Sequence, residues 1–384
     1  MTYPTISHFI EEITGFFIPL PIQTFGFFIV LAFIVGHYFI KKEFLRLEKL
    51  KLLNSIEIQS KKSYIIILFD YLINIIVSFF FGYKILFIIK NYSLFAQNPQ
   101  EVLLSTNGNV VIGLVFSFFT ITHLIRKHKS DSSDTQKGKI NPSQLSWNLI
   151  FIAGISGIIG AKLFSVFENI DLLLKDPLTT LFSFSGLTFY GGLIMGTLCV
   201  ILYAKKHNIN VKRLADIFAP ALILAYGIGR MGCHFSGDGD WGIISKMSEK
   251  PIFLPDWLWG YQFPHNVIEV GVKIEGCIGK YCHELPYPVY PTSLYETIFC
   301  ITIFLCLWKI KNYITTPGII FCLYLIFNGI ERFFIETIRV TEKYHIFQVQ
   351  LTQAQIIAIL ITIIGIFGIY YLKNKSNINE IIKE

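Results

Sequence analysis

Charge is what this chain of 384 residues has least of. Lys, Arg, Asp and Glu together make up 15% of it, against roughly a quarter in soluble domains. With 53% apolar residues and a mean hydropathy of +0.55, that shortage excludes an ordinary soluble domain and predicts an all-α, polytopic membrane protein. A basic amino-terminal region is also missing. Pro19 and Pro21 break the first apolar stretch, so no cleavable signal peptide is expected and the first twenty residues read as an interfacial lead-in. The net charge of +7 is assigned to loops on the inner membrane face, and no nucleic-acid partner is expected.

Nine apolar runs approach or exceed the ~18–20 residues needed to span a bilayer. They cover about 22–40, 64–89, 109–126, 147–167, 187–204, 214–232, 293–310, 317–336 and 354–372. Lys and Arg concentrate in alternate connections, at Lys41 to Lys62, Arg126 to Lys139, Lys205 to Arg213, Lys309 to Lys311 and beyond Lys373. The positive-inside rule then places the N-terminus outside and the C-terminus inside. The organisation expected is a lead-in, first span and basic loop (1–63), an extra hairpin and linker (64–144), core spans (145–232), a small outer cap (233–292) and C-terminal core spans with a basic tail (293–384). The cap segment is rich in Trp, Tyr and Pro, as suits a membrane surface.

Residues 80–118 align without gaps onto 158–196 at an offset of 78. Nine of 39 positions are identical, among them Gly82/Gly160, Lys84/Lys162, Asn91/Asn169, Pro99/Pro177, Gly108/Gly186 and Gly113/Gly191. This reads as a duplicated helical hairpin, with shared membrane composition as the competing explanation. The first copy has Ile112-Gly113-Leu114 where the second has Tyr190-Gly191-Gly192, so any chemistry is expected in the second.

The sixth run ends Gly229-Arg230-Met231-Gly232-Cys233-His234, followed by Ser236, Asp238 and Asp240. An arginine near a bilayer centre costs about 2.5–3.5 kcal/mol on insertion scales, so it needs an anionic partner or a wet cavity. By the topology above, Arg230, Tyr190-Gly191-Gly192, Tyr290 to Glu296, and Glu331 to Arg339 reach one depth on one side. Arg332, Glu336 and Arg339, spaced four and three, share a helical face. Separately these have plainer readings: a structural ion pair, belt tyrosines, glycines for helix packing. Together they point to an anionic headgroup site, because guanidinium forks bind phosphate bidentately. Cys277-x4-Cys282-His283, even with Cys233, His234, Asp238 and Asp240, matches no tight zinc pattern. No metal or cofactor is expected, and on the outer face Cys277 and Cys282 are expected as a disulfide.

The set resembles the prolipoprotein diacylglyceryl transferase family. The carrying residues are Phe189 to Ile194, Gly229 to Gly232 with Ser236-Gly237-Asp238, Tyr290 to Glu296, and Arg332-x3-Glu336-x2-Arg339; Gly160-Ala161-Lys162 and Gln355 also look like its motifs. The resemblance implies a seven-span core, here nine with the extra hairpin. It implies a bacterial inner-membrane enzyme with its site toward the periplasmic leaflet. Its partners would be membrane lipids, phosphatidylglycerol as donor and the lipobox cysteine of a prolipoprotein as acceptor. It implies Arg230 and Arg332 as catalytic phosphate ligands, with Gly191, Gly192, Gly232, Ser236, Asp238, Tyr295, Glu296, Glu336 and Arg339 around the substrate. Tyr190 stands where many members have His, Cys233 where they have Asn, and Tyr290 where many have His. The proton acceptor is therefore sought at Tyr190 or His234. A divergent or inactive paralogue, or a transporter or channel for an anionic solute, is the alternative. A transport path needs polar residues through to the inner face, and the spans show few there.

Overall fold

The computed structural model describes residues 2–58, 64–131, 138–182, 188–346 and 349–381. The helices in chain order are α1 (Ile6–Thr14), α2 (Thr24–Lys49), α3 (Tyr64–Lys90), α4 (Tyr92–Gln97), α5 (Pro99–Leu104), α6 (Val110–Asp131), α7 (Ser146–Glu168), α8 (Ile170–Lys175), α9 (Pro177–Phe182), α10 (Phe189–Lys206), α11 (Val211–Ser236), α12 (Asp256–Trp259), α13 (Thr292–Ile310), α14 (Ile319–Glu336) and α15 (Gln353–Ile381). Three two-stranded antiparallel ladders join β1 (Ile56–Ile58) to β2 (Gly138–Ile140), β3 (Val272–Lys273) to β4 (His283–Glu284), and β5 (Lys343–Ile346) to β6 (Val349–Thr352). The nine apolar runs correspond to α2, α3, α6, α7, α10, α11, α13, α14 and α15, although Leu187, at the start of one run, lies outside the described residues. By length and composition α2, α3, α7, α11, α13 and α15 can cross a membrane. The apolar part of α6 (Val110–Arg126) is shorter, α10 closes on two lysines, and α14 carries Glu331, Arg332 and Glu336.

The chain divides into two compact units. One comprises 1–16, 23–53 and 142–384; the other comprises 17–22 and 54–141. In the first, α11 is the central helix, packed against α2, α13 and α14. Asn210 caps its start, its side chain accepting from the backbone N–H of Lys212 (3.0 Å) and Arg213 (3.3 Å). Gly237 ends it in the left-handed conformation (φ 63°), where a side chain would be strained, and donates its N–H to Cys233 O (3.0 Å). Gly232 sets the seam with α2: a Cβ there would lie 2.8 Å from Phe28 Cβ. Below it Ala219, Ile223, Leu224, Cys300, Phe304, Leu307 and Ile320 form the core between α11, α13 and α14. α7 packs on α10, and α14 on α15.

The second unit is the first hairpin, α3 to α6, with the β1–β2 ladder joining its flanking segments. The two hairpins repeat elements of their backbone. Helices α4 and α5 fall on α8 and α9 at the same offset of 78, residue for residue. Asn91 and Asn169 take matching dihedrals (φ −119°, ψ 42° and φ −126°, ψ 48°). Each side-chain amide donates back to a carbonyl four residues earlier, Phe87 at 3.0 Å and Ser165 at 2.9 Å. Gly186, one of the aligned identities, lies outside the described residues.

The segment expected as a cap packs around Phe263, Leu285 and Val289, with Trp241 and Tyr261 against them. Tyr261 and Val289 exchange backbone hydrogen bonds (2.9 and 3.0 Å). The buried Asn266 side chain accepts from Val270 N–H (2.9 Å) and donates to Val270 O and His283 O (3.0 Å each). Cys277 and Cys282 form the expected disulfide.

Candidate functional site

Three elements bring charge to one end of the first unit. Arg230 comes from the last turns of α11, Glu296 from the first turns of α13, and Arg332 and Glu336 from the last turns of α14. The chain after α11 is laced to the chain after α14: Ile243 N–H donates to Ile338 O (2.8 Å), and Gly242 bridges to Arg339. Thr292 Oγ1 donates to Asp240 O (3.0 Å), fixing the same loop to the start of α13. These ties place Asp240 and Arg339 beside the three helix ends.

Glu296 is the hub. It is fully buried; its carboxylate accepts from Arg332 Nη1 (2.6 Å) and the Tyr226 hydroxyl (3.1 Å) and is ion-paired with Arg230 Nε (2.9 Å), with Arg339 Nη1 at 3.7 Å. Asp240 pairs with both Arg230 and Arg339. Glu336 pairs with Arg332 (3.1 Å) across one helical turn and accepts from Thr341 Oγ1 (2.7 Å). The Arg230 guanidinium also lies 5.1 Å from the Tyr226 ring centroid. Three arginines thus interlock with three carboxylates. A buried carboxylate without partners would cost several kcal/mol; here the charges and hydrogen bonds offset that. Each guanidinium has five N–H donors. The pairs at Arg230 engage Nε and Nη1, and those at Arg332 engage Nη1 and Nη2. Among the described residues Arg332 Nε makes no hydrogen bond and stays open as a donor, whereas Arg230 also interacts with the Tyr226 hydroxyl and the Cys233 thiol.

The site differs in detail from expectation. Glu296, expected only to line it, sits at its centre. Asp240, expected at most as a metal ligand, is the shared partner of two arginines, and Tyr226, outside the expected set, donates to Glu296. The phenol at Tyr226, four residues before Arg230, was the available signal: i and i+4 share a helical face. Gly227 is the second: a Cβ there would lie 2.7 Å from Cys300 Cβ, so α11 and α13 meet closely at this depth.

Other expected residues stand apart from the cluster. Tyr190 is 39% exposed, and its ring meets Phe189; among the described residues its hydroxyl makes no hydrogen bond. Gly191 and Gly192 serve the α7–α10 seam, since a Cβ would lie 2.5 Å from Gly160 O and 3.0 Å from Gly157 O respectively. His234 is buried among Phe235, Tyr261 and Phe263, and its Nδ1 has no hydrogen-bond partner among the described residues. Tyr295 donates to Leu258 O (2.6 Å), tying α13 to the segment after α11. The Ser236 hydroxyl turns back to Cys233 O (3.3 Å). Asp238 lies closer to the chemistry. Its carboxyl interacts with the Cys233 thiol and the Arg230 charge, and burial raises its pKa. Cys233, Asp238 and Asp240 bring ligand atoms within 4.8 Å of one another. Asp240 is already committed to Arg230 and Arg339, whose charges oppose a cation there.

The family model described as prolipoprotein diacylglyceryl transferase matches residues 109–371, a span that holds every member of the arginine cluster. The chain is 34% identical over 238 residues to a phosphatidylglycerol–prolipoprotein diacylglyceryl transferase of Clostridium botulinum (strain Loch Maree / Type A3), covering 60% of this chain and 81% of the relative. Proteins of the same name match at 30% over 231 residues in Oceanobacillus iheyensis (59% and 73% covered) and in Staphylococcus aureus strain MSSA476 (60% and 75%). A family match over more than half its length, on a chain of membrane-spanning helices with an interlocked arginine site, means that this protein belongs to the prolipoprotein diacylglyceryl transferase family and is a transferase.

Proposed function

We propose that the protein transfers the diacylglyceryl group of phosphatidylglycerol to the thiol of a prolipoprotein lipobox cysteine, at the outer leaflet of a bacterial inner membrane. The sulfur attacks the glycerol carbon that bears the phosphate. A carbon–sulfur bond forms as the carbon–oxygen bond breaks, and glycerol 1-phosphate leaves with the bonding electron pair. The phosphate thereby passes from a monoanionic diester to a dianionic monoester, while the thiol proton goes to a base. Negative charge grows on the leaving oxygen, so guanidinium donors aimed there bind the transition state more tightly than the substrate.

The observation that carries this reading is that Arg230 and Arg332, from different helices, are both fixed on the single buried carboxylate of Glu296. Two forks held on one carboxylate suit one phosphate, and being fixed already they need little reorganisation on binding. Asp238 is the carboxylate best placed to take the thiol proton. It lies beside Arg230 and already interacts with a thiol, that of Cys233, and its raised pKa makes it a better base than an ordinary aspartate. The nucleophile comes with the acceptor, so the chain needs no catalytic serine or cysteine of its own.

The test is mass spectrometry of a lipobox peptide incubated with the purified protein and phosphatidylglycerol vesicles. A peptide heavier by one diacylglyceryl group is expected, and Arg230→Ala should lower its yield by about 10²–10³-fold. No adduct from folded, lipid-binding protein would overturn the reading, as would near-normal yield from the variant.

A further inference from the structure

The opposite end of the first unit carries a second set of charges that the transfer chemistry does not use. Asp216 and Arg230 are fourteen residues apart on α11, about 21 Å along a helix axis, so the two sets belong to different membrane faces. Here α2 ends, α11 begins and α13 turns into α14. Between them lies a small recess, open on one side and lined by Glu43, Arg46, Arg213, Asp216, Lys311 and Thr315.

The carboxylates of this recess are occupied. Glu43 is buried and accepts from Arg46 Nε (3.0 and 3.1 Å), Arg46 Nη2 (2.6 Å) and the buried Lys311 ammonium. Asp216 accepts from the backbone N–H of Gly318 (2.6 Å) and Phe321 (2.9 Å), capping the first turn of α14. The cations are not all occupied. The charge of the half-buried Arg213 acts on Asp216, but its guanidinium makes no hydrogen bond or close ion pair among the described residues, and neither does Nη1 of Arg46. The lining holds three cations against two carboxylates, and the surplus charge resides on planar forks that match phosphate oxygens. Trp308 lies alongside, with Lys311 Nζ 3.0 Å and Lys42 Nζ 5.9 Å from its ring centroid. Tryptophan flanked by lysines marks the level of lipid headgroups.

We propose that this recess binds a phosphate group through Arg213 and Arg46, as the phosphodiester of an anionic lipid in the leaflet opposite the transfer site or as free phosphate. It shares no residue with the arginine cluster, so it stands or falls apart from the proposed activity.

The test follows phenylglyoxal modification of Arg213 in the full-length protein by peptide mass spectrometry, with dihexanoyl phosphatidylglycerol, dihexanoyl phosphatidylcholine or inorganic phosphate added. Phosphatidylglycerol should slow modification about tenfold. Protection by phosphatidylglycerol alone identifies a lipid headgroup, and equal protection by inorganic phosphate identifies free phosphate. Unchanged modification with both overturns the proposal, and so does equal protection by phosphatidylcholine, which would reflect acyl chains covering the surface. Native mass spectrometry of Arg213→Ala should show one fewer bound phosphatidylglycerol or phosphate, with diacylglyceryl transfer unchanged. Unaltered stoichiometry would count against the site.

Discussion

The two hairpins of this molecule, α3 to α6 and α7 to α10, share a backbone plan and differ in what they are attached to. Both run long helix, two short helices and long helix, with the short helices in register and an asparagine folding back at the first corner. In both, the loop before the second long helix is tied to the first: Asn109 N–H donates to Tyr83 O (2.8 Å) and Thr188 N–H to Ala161 O (3.1 Å). The first hairpin, however, forms a unit of its own, whereas the second belongs to the unit that holds the arginine cluster. Their seams differ too. Gly157, Gly160, Gly191, Gly192 and Gly196 line the α7–α10 seam, whereas the first copy has Gly82 and Gly113, where a Cβ would meet Ile112 O and Phe79 O as well as the side chains of Phe116 and Phe79. The two copies thus share a hairpin plan, but only the second lies in the unit that holds the arginine cluster.

The contrast breaks first at Glu296, in the unit with the site. Glu296→Gln removes the charge on which Arg230 and Arg332 meet, and breaking a buried pair costs about 3–5 kcal/mol. We expect transfer to fall by about a hundredfold or more, with a lower melting temperature in detergent and unaltered membrane insertion. Turnover within a fewfold of normal would mean that the arginines hold their positions without the hub.

A smaller effect is expected from giving the second seam a residue of the first. Leu114 corresponds to Gly192, and Gly192→Leu would drive a side chain into Gly157 O, 3.0 Å from a Cβ at that position. Overpacking of this kind costs about 1–3 kcal/mol. The variant should melt earlier, whereas Leu114→Gly should leave transfer unchanged. Equal losses of transfer from both would show that the first hairpin takes part in the reaction.

Lys84 tests the first hairpin directly. Its ammonium is buried and donates to Val102 O, Ser105 Oγ and Asn107 O (3.0 Å each). Lys84→Met leaves those acceptors unpaired, at about 1–3 kcal/mol. Proteolysis should then open the loop between α5 and α6 while transfer continues. A transfer defect as large as that of Glu296→Gln would end the separation between the hairpins.

Much of this was legible in the sequence because its signals are local. Nine apolar runs mark the long helices to within a few residues, except where lysines carry α2 and α15 well past their apolar stretches. The Asn and Pro pairs of the repeat mark the short helices. The depth of the arginine motifs follows from their positions near span ends. The partners do not follow. That Glu296 of α13 would sit between Arg230 of α11 and Arg332 of α14 depends on how three helices pack. That Asp240 would pair with Arg339 depends on a bridge between two loops. The recess was equally hidden, because its lining comes from α2, α11 and the α13–α14 connection.

Tyr190 is the smallest and sharpest point of the comparison, because it stands opposite Ile112 of the first copy. If the second hairpin contributes a proton acceptor, this is the residue that the first copy lacks. Yet Tyr190 is half exposed, and its hydroxyl makes no hydrogen bond among the described residues. Among the described residues no guanidinium is paired with it. Asp238, beside Arg230, is the stronger claimant. Tyr190→Phe should therefore keep transfer within about threefold of normal, whereas Asp238→Asn should lower it by about 10²-fold, the usual contribution of a positioned base. A hundredfold loss from Tyr190→Phe, with Asp238→Asn near normal, would move the proton path to the second hairpin and make Tyr190 the functional difference between the copies.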